Sequence, residues 1–207
     1  MTSVTGTRTR LTREQSRQRT RDLLVDAAIH IFARDGYTGA SVDAIAAQAG
    51  FTVGAVYSNF ATKEDLFLAA FEQHCAGEQA TLTELVQAHP TLDQLLTAVV
   101  KRFADLDDQH RQWWTLWAEL WLYAQRHPDD AARFAQVQAQ TRAVLAEALC
   151  REITGPTGEL AAVIHALWTG FMLTRLVDPQ ALPADTFRGA VHRLTGSQPT
   201  NNPGGTR

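Results

Sequence analysis

The N-terminal third of the chain shows helical spacing of apolar residues, interrupted by residues that begin or end helices. From about Arg13 to Arg34 the apolar positions return on one face of a helix, and Asp35-Gly36 ends it because glycine accepts left-handed geometry past a C-terminus. That face consists of Leu24, Ala28, Ile31 and Phe32. The pattern predicts a first helix over 13–34.

Two short helices are predicted next, each preceded by a residue that caps helix N-termini. Ser41 begins the first of them and Gly50 ends it, while Thr52 begins the second. Their inward-facing residues recur at helical spacing and are Val42, Ile45, Ala46, Ala49, Val56 and Phe60. Thr62, with Asp65 three residues later, predicts the start of a longer helix that continues to about Ala88.

Helical periodicity continues to the C-terminus, punctuated by prolines and glycines. The further predicted helical segments are 91–108, 111–126, 129–152, 157–177 and 184–195. Alternating β-branched residues are rare, so we predict an all-α fold of about nine helices. The predicted organisation is a disordered basic arm (1–12), a helix-turn-helix DNA-binding domain (13–62), a ligand-binding and dimerisation domain (63–195) and a disordered tail (196–207).

Composition narrows the class of protein. Hydrophobic residues form 45% of the 207 residues, which suffices for a sizeable core. The chain lacks a run of eighteen apolar residues and a signal-like start, so we predict a cytoplasmic protein that does not cross a membrane. Cys75 and Cys150 have no partners at metal-ligand spacing, so we expect two reduced, buried thiols and neither a metal nor a cofactor.

Charge is unevenly distributed along the chain. Residues 1–63 hold eight basic and five acidic groups, a balance of +3, whereas the whole chain carries −3, so the remainder carries −6. A basic end on an acidic body can face a polyanion while the rest stays soluble, although a solvated tail would give the same balance.

Residues 42–60 have the spacing of a helix-turn-helix, two short helices that meet at one glycine. Ala46 is small where the second helix must cross the first closely, and Gly50 takes a turn geometry that a β-carbon resists. Ile45 and Val56 face each other across the corner. A DNA-binding helix-turn-helix uses such a turn to push its second helix into the major groove.

Three segments of this region resemble the tetracycline-repressor (TetR) family of regulators. Gly36-Tyr37-Thr38 with Ser41-Val42 resembles the segment between that family's first two helices. Residues 49–60, AGFTVGAVYSNF, resemble its recognition region, and residues 63–67, KEDLF, resemble the start of its fourth helix. The resemblance covers about residues 16–72 and is weak beyond them.

The resemblance implies that the segment from Thr52 to Asn59 lies in the major groove and that Lys63 reaches a phosphate. Hydroxyl, amide and ammonium groups suit these contacts, and backbone N–H groups at the start of the fourth helix can also face a phosphate. Tyr57 is either a donor to the DNA backbone or a packing aromatic, and the arm either contacts DNA or only steers it. The predicted DNA-contacting residues are Arg10, Arg13, Ser41, Thr52, Val53, Gly54, Ala55, Tyr57, Ser58, Asn59 and Lys63.

Two positions depart from the family's pattern. Val53 stands where a polar or basic residue is frequent, and Ala55 where Ser or Thr is frequent. Such side chains can contact thymine methyl groups but cannot make bidentate hydrogen bonds to bases. We therefore expect readout through apolar contact, Ser58 and DNA shape, with close backbone approach at Gly54.

Four tryptophans fall within nine residues of the sixth predicted helix. Trp114, Trp117 and Trp121 share one face at spacing i, i+3, i+7, either as bundle core or as the wall of an apolar pocket. The resemblance favours a pocket for a small lipophilic or aromatic inducer. Its predicted residues are Phe103, Trp113, Trp114, Trp117, Glu119, Trp121, Phe134, Trp168, Phe171 and Met172. Glu119 either pairs with a base such as Arg111 or Arg126, or binds a cationic ligand.

The resemblance also implies a homodimer formed by the last two helices, through Ala162, His165, Ala166, Thr169, Phe187, Val191 and Leu194. The sequence thus predicts a ligand-responsive repressor that binds palindromic operator DNA as a dimer and is released by its inducer. The residues show no nucleophile–base pair or phosphate loop, so we do not expect an enzyme. The alternative is a helical interaction protein whose helix-turn-helix no longer binds DNA. Operator, inducer and a role in activation stay open.

Overall fold

The structure, a computed structural model, describes residues 12–104 and 107–197. This part of the chain holds nine α-helices and no strand, which confirms the predicted all-α fold. In chain order they are α1 (Arg13–Gly39), α2 (Val42–Ala49), α3 (Val53–Asn59), α4 (Lys63–Ala88), α5 (Leu92–Arg102), α6 (Asp108–Arg126), α7 (Pro128–Leu149), α8 (Thr157–Val177) and α9 (Ala184–Thr195).

The predicted capping residues of α2 and α3 act as the sequence predicts. The hydroxyl oxygen of Ser41 accepts a hydrogen bond from the N–H of Ala44 (3.1 Å), and that of Thr52 from the N–H of Ala55 (3.2 Å). Gly50 ends α2 with φ 74°, the left-handed geometry that a side chain makes costly. These local devices fix the corner between α2 and α3.

Both ends of the described chain are more ordered than predicted. Thr12, placed in the disordered arm, caps α1 in a reciprocal pair of hydrogen bonds with Gln15. At the other end Gly196 caps α9 with φ 69°, and the hydroxyl of Ser197 lies 2.8 Å from Nδ1 of His192. The predicted disorder of residues 1–11 and 198–207 lies outside the described residues.

Several helix ends differ from the predicted ones. The break expected at Gly36 is present as a non-helical residue (φ 71°, ψ 171°), but helical structure resumes as far as Gly39. Helix α5 ends at Arg102, and α6 begins earlier than predicted because Asp107 caps it, accepting a hydrogen bond from the N–H of His110 (2.8 Å). The hydrophobic pattern alone does not show whether these few residues at the helix ends are helical.

The chain divides into two compact units, Met1–Phe71 and Glu72–Arg207, so the division lies inside α4 and not at the predicted residue 62. The reason is aromatic packing. Phe67 lies 5.0 Å from Phe32 and 4.8 Å from Tyr37 between ring centroids, so the first turns of α4 complete the core of the first unit. The buried residues Leu24, Ile45, Val56, Phe60 and Leu66 make up much of the rest of that core.

In the second unit α8 packs against α6, α7 and α9, and α9 also packs against α5. The buried Arg175 of α8 donates to the carbonyl oxygens of Phe103 (2.8 Å) and Ala104 (2.7 Å), and thereby holds the C-terminal end of α5. Asp93 of α5 accepts hydrogen bonds from Nε of Arg188 (3.0 Å) and Nε2 of His192 (2.8 Å). These contacts fix α5, α8 and α9 around one interior space.

Helix α8 also bears on the membrane prediction. By length and composition it is the one described helix that is apolar enough to cross a membrane. Core helices of water-soluble proteins meet the same criterion. Here α8 packs against three other helices of its unit and carries the buried Arg175.

Candidate nucleic-acid interface and internal cavity

Helix α3 is held to the first unit by one side of its surface. Val56 is buried, whereas Tyr57 is 52% exposed and Thr52, Gly54 and Ser58 are also exposed. Val53 and Ala55, the two departures from the family's pattern, are half-buried. A short helix that buries only Val56 leaves Gly54, Tyr57 and Ser58 exposed on its outer side, as a recognition helix must.

The hydroxyl groups of this helix are partly engaged within it. Ser58 donates to the carbonyl oxygen of Ala55 (2.8 Å), and Thr52 is the N-cap. Each hydroxyl keeps further capacity, since it has one donor and two acceptor sites. A donor from DNA would therefore find the Ser58 oxygen available as an acceptor.

Asn59 does not extend from α3 as the sequence analysis predicts. Its side-chain amide donates to the carbonyl oxygen of Ala55 (2.9 Å), and its Oδ1 is buried with no hydrogen-bond partner among the described residues. The side chain bends back because Asn59 is the last residue of α3, where it can bond to its own helix. Asn59 therefore leaves the set of residues presented for DNA contact.

Two cationic side chains of the first unit, those of Lys63 and Arg21, are held by backbone carbonyl groups. The ammonium of Lys63 donates to the carbonyl oxygen of Tyr37 and lies 4.7 Å from the centroid of its ring, with two further N–H groups left for a phosphate. Arg21 of α1, which sequence reasoning missed, donates to the carbonyl oxygen of Asn59 (2.9 Å) and lies 4.1 Å from the centroid of the Phe60 ring. The missed contact joins residues 38 positions apart, so no local pattern indicates it.

The other predicted DNA contacts lie at the start of helices. Ser41 is exposed as the N-cap of α2, and Arg13 is exposed as the first residue of α1. Arg10 lies outside the described residues. Near the start of α4 the hydroxyl of Tyr37 donates to Oε1 of Glu64 (2.6 Å), and this bond lowers the pKa of Glu64.

The second unit encloses a cavity of about 320 Å³, at the lower end of the range of about 300–1,000 Å³ for small-molecule sites. Five of the predicted pocket residues line it: Phe103, Trp113, Trp114, Trp117 and Trp168. The other five do not: Glu119, Trp121, Phe134, Phe171 and Met172. Of the four clustered tryptophans, three line the cavity, whereas Trp121 does not.

The five predicted pocket residues that do not line the cavity lie on the exterior of the unit or pack behind its wall. Trp121 lies on the exterior, 42% exposed, and packs edge-on against Phe134 at 5.5 Å. Phe171 and Met172 are buried in α8, where Phe171 stacks on Trp168 at 5.8 Å from behind the lining. Glu119 is half-buried and does not line the cavity, which favours the structural alternative for its carboxylate.

Three residues predicted for the dimer interface line the cavity instead. They are His165 on α8 and Phe187 and Val191 on α9; the last two are buried inside the subunit and are unavailable to a partner. Thr169 is also buried, and its hydroxyl donates to the carbonyl oxygen of His165 (3.1 Å). Leu194, on the same face of α9, is exposed, so only the end of this face is uncovered.

Three imidazoles, of His74, His110 and His165, are among the polar groups in the cavity wall. His74 stacks on Trp113 with ring centroids 3.4 Å apart, and burial lowers its pKa to about 4, helped by the positive charges of His110 and Arg102. Burial also lowers the pKa of His165 to about 4, with a smaller contribution from Arg142. Both imidazoles are therefore neutral at neutral pH, because burial disfavours the charged form.

Sequence reasoning missed the walls from α4, α5 and α7. They contribute His74, Cys75, Gln79, Leu82, Leu85, Leu92, Leu95, Leu96, Val99, Arg102, Thr141, Leu145 and Leu149, among others. The usable signal was the leucine-rich apolar face that α4 and α5 each carry. Within the described residues no group of three or more His, Cys, Asp or Glu could hold a metal ion. Both cysteines are free thiols, but Cys150 is exposed, contrary to prediction.

Comparisons with known proteins agree with this geometry. Residues 24–70 match the family model described as "Bacterial regulatory proteins, tetR family", and residues 92–198 match "BetI-type transcriptional repressor, C-terminal". A fatty acid metabolism regulator protein of Bacillus subtilis is 31% identical over 88 residues, which are 42% of this chain and 45% of that protein. The chain spans about half the length of the curated relatives that it matches first.

Solved structures share the fold over nearly their whole length. Reduced NemR of E. coli has a TM-score of 0.69 at 22% identity, and the match covers 87% of this chain and 99% of that one. The multidrug binding protein EbrR, complexed with ethidium, has a TM-score of 0.66 at 26% identity, with 85% and 98% covered. With its N-terminal and C-terminal regions both matched, the chain belongs to the tetR family of bacterial regulatory proteins, which are transcriptional regulators.

Proposed function

We propose that the protein is a ligand-responsive repressor that binds palindromic operator DNA as a homodimer through α2 and α3, and that a small lipophilic molecule in the cavity of the second unit releases it. The observation that carries the proposal is the exposure of α3 behind the Gly50 turn. Val56 anchors the helix, and Thr52, Tyr57 and Ser58 are left exposed to a partner.

A ligand role for the cavity is supported by its apolar wall and by its size. The similar protein EbrR is a multidrug binding protein with solved complexes of proflavin and ethidium. A ligand that binds one spacing of the recognition helices better than another shifts the equilibrium away from the DNA-bound form.

Dimerisation is supported by apolar side chains left uncovered on α8 and α9. Val163 is 51% exposed and Leu167 36% on α8, and Leu194 is 48% exposed on α9. Ala162, Ala166 and Gly170 lie beside them on α8, and small residues allow a second helix to approach closely. These residues, with Leu194, form the dimer surface that we propose.

DNA binding is tested with the region upstream of the protein's own gene as a labelled duplex, at two salt concentrations. We expect Lys63→Ala to weaken binding to all sequences and to reduce the slope of log affinity against log salt by about one, because one phosphate contact is lost. Ser58→Ala should instead change base preference. Lys101→Ala, an exposed lysine of the second unit, is the matched control.

The alternative function, an interaction protein without DNA binding, draws on the absence of a basic residue in α3 and on Val53 and Ala55. It predicts no salt-dependent retention of any duplex by the folded protein. Equal effects of Lys63→Ala and Ser58→Ala on every sequence would contradict the roles assigned to these two residues.

A further inference from the structure

The helix-turn-helix of this chain carries no positive charge of its own. Helices α2 and α3 contain neither lysine nor arginine, and Asp43 gives α2 a negative charge. Contacts from cationic side chains to phosphates supply most of the sequence-independent affinity of proteins for DNA. Arg34 is paired with Asp35 (2.7 Å), so Lys63 and the start of α1 hold the remaining lysine and arginine side chains of the described first unit.

The start of α1 holds four arginines ahead of the packed core. Helix α1 begins at Arg13, but the first of its buried residues is Leu24, so about three helical turns precede the packed part. Arg13, Arg17 and Arg19 are exposed, and Arg21 is half-buried. Among the residues that the structure describes, no carboxylate forms an ion pair with any of the four.

Three of these arginines continue the side of α1 that packs against the core. With about 3.6 residues per turn, Arg13, Arg17 and Arg21 fall within a sector of about 80° around the helix axis. The same sector contains the buried Leu24 and Ala28. One side of α1 is therefore apolar from Leu24 onward and cationic before it.

Arg21 shows where this cationic side lies. Its Nη1 donates to the carbonyl oxygen of Asn59 (2.9 Å), the last residue of α3, and its guanidinium carbon lies 4.1 Å from the centroid of the Phe60 ring. Arg17 and Arg13 follow one and two turns further along, about 6 and 12 Å from Arg21 measured on the helix axis. The cationic side thus extends from the C-terminal end of α3 away from the packed core.

We infer that this cationic face of α1, defined by Arg13, Arg17 and Arg21, is a second DNA-binding surface, which holds the phosphate backbone beside the C-terminal end of α3. The inference rests on the proposed function, because α3 in the major groove brings a bordering strand to that end. Guanidinium groups suit phosphates, since they can donate two parallel N–H bonds. Contacts to phosphates add affinity without base preference.

The other charged groups at the start of α1 leave this face to an anion. Asp22 and Asp26 lie on the opposite side of the helix, where the amide of Gln18 donates to Asp22 (2.7 Å), and Glu14 lies at the edge of the face. A strand of DNA carries one charge per roughly 3.4 Å of helix axis, so cations spaced about 6 Å apart can each meet a phosphate.

The test compares Arg17→Gln with Arg19→Gln, which removes an equal charge from the opposite side of the same helical turn. Glutamine keeps the helix propensity at both exposed positions. Binding of the full chain is measured between roughly 50 and 200 mM salt to two labelled duplexes of equal length, the region upstream of the protein's own gene and a random sequence.

We expect Arg17→Gln to reduce the slope of log affinity against log salt by about one for each bound protomer, on both duplexes. Affinity at the lower salt concentration should fall about three- to tenfold, whereas Arg19→Gln should stay within about twofold of the unmodified protein. Arg13→Gln combined with Arg17→Gln should double the change in slope, with far-UV circular dichroism as the check on folding.

The outcomes separate this inference from the proposed function. Equal effects of Arg17→Gln and Arg19→Gln, or a loss confined to the upstream duplex, would overturn the inference and leave the role of α3 intact. A selective loss in Arg17→Gln on both duplexes, from a protein that prefers neither of them, would support the inference and contradict operator recognition. Failure of the folded protein to bind either duplex would overturn both.

Discussion

At the residue scale, Gly54 is the second residue of the exposed α3, and nothing inside the subunit requires a glycine there. A β-carbon there would meet only Oγ1 of Thr52 at 3.8 Å, an ordinary contact. Glycine in a helix costs up to roughly 0.5–1 kcal/mol relative to alanine. The chain accepts this cost at the position where the proposed function brings DNA closest to the helix backbone.

Gly54→Ala should therefore change stability and binding in opposite directions. We expect the free energy of unfolding in urea to rise by roughly 0.5–1 kcal/mol, while operator affinity falls about tenfold as the added methyl group meets the DNA. Gly77→Ala in α4, where a β-carbon meets open space, should give the stability gain alone. Undiminished DNA binding by Gly54→Ala would show that the helix backbone does not approach the duplex.

His74 makes a prediction about pH. Its pKa is lowered to about 4 in the folded protein from an ordinary value of 6.5, so between these values the unfolded chain holds a proton that the folded chain does not. Stability is complete above pH 6.5 and is lost as pH falls toward 4, by up to about 1.4 kcal/mol per pH unit for each such histidine.

We expect His74→Gln to flatten this dependence, measured as the free energy of unfolding in urea across the same pH range. His165 has the same burial-lowered pKa and should account for a second share of the slope. His30→Gln, at an exposed position on α1, serves as the control and should retain the slope of the unmodified protein. An unchanged slope in His74→Gln would mean that this imidazole is protonated in the folded state.

Residues whose role depends on near neighbours were predictable, and those whose role depends on packing were not. Ser41 and Thr52 cap helices because each bonds to an N–H three residues away, a relation that the sequence displays. Asn59 and Arg21 meet across α1 and α3, and only the folded unit brings them together.

At the scale of helices, position along the chain was easier to predict than orientation. The bounds of α8 and α9 agree with the predicted 157–177 and 184–195 because apolar periodicity and flanking prolines mark them. The pattern does not reveal how much of an apolar stripe is covered, since Phe187, Val191 and Leu194 share one face of α9, yet the first two are buried and Leu194 is exposed. Six helices line the cavity, and although α4 and α5 each carry a leucine-rich apolar face, only the folded unit shows that these faces meet around one space.

The uncovered side of α8 yields a prediction about assembly. Leu167→Glu places a charge in the middle of the proposed dimer surface, where burial without a partner is costly. We expect sedimentation equilibrium at micromolar concentration to shift from dimer to monomer. Leu122→Glu, which alters an exposed leucine of α6, should remain dimeric. A dimer in Leu167→Glu together with a monomer in Leu122→Glu would place the interface on α6.

At the scale of the whole molecule, the two units carry complementary parts of the proposed function. The first unit holds the exposed α3 and lies in the basic end of the chain; the second holds the cavity and the uncovered face of α8. The first unit was the more predictable, since its family resemblance runs through contiguous residues. The second is held together by helix packing, for which the sequence offers periodicity and little else.

The most direct test of the central claim, that two copies of α3 read one duplex, is selection of bound duplexes from a random library. The account predicts an enriched inverted repeat bound by two protomers, with half-site centres about one helical turn (roughly 10–10.5 base pairs) or a multiple apart. Enrichment of an asymmetric site bound by a single protomer, or no enrichment at all with folded protein, would contradict it.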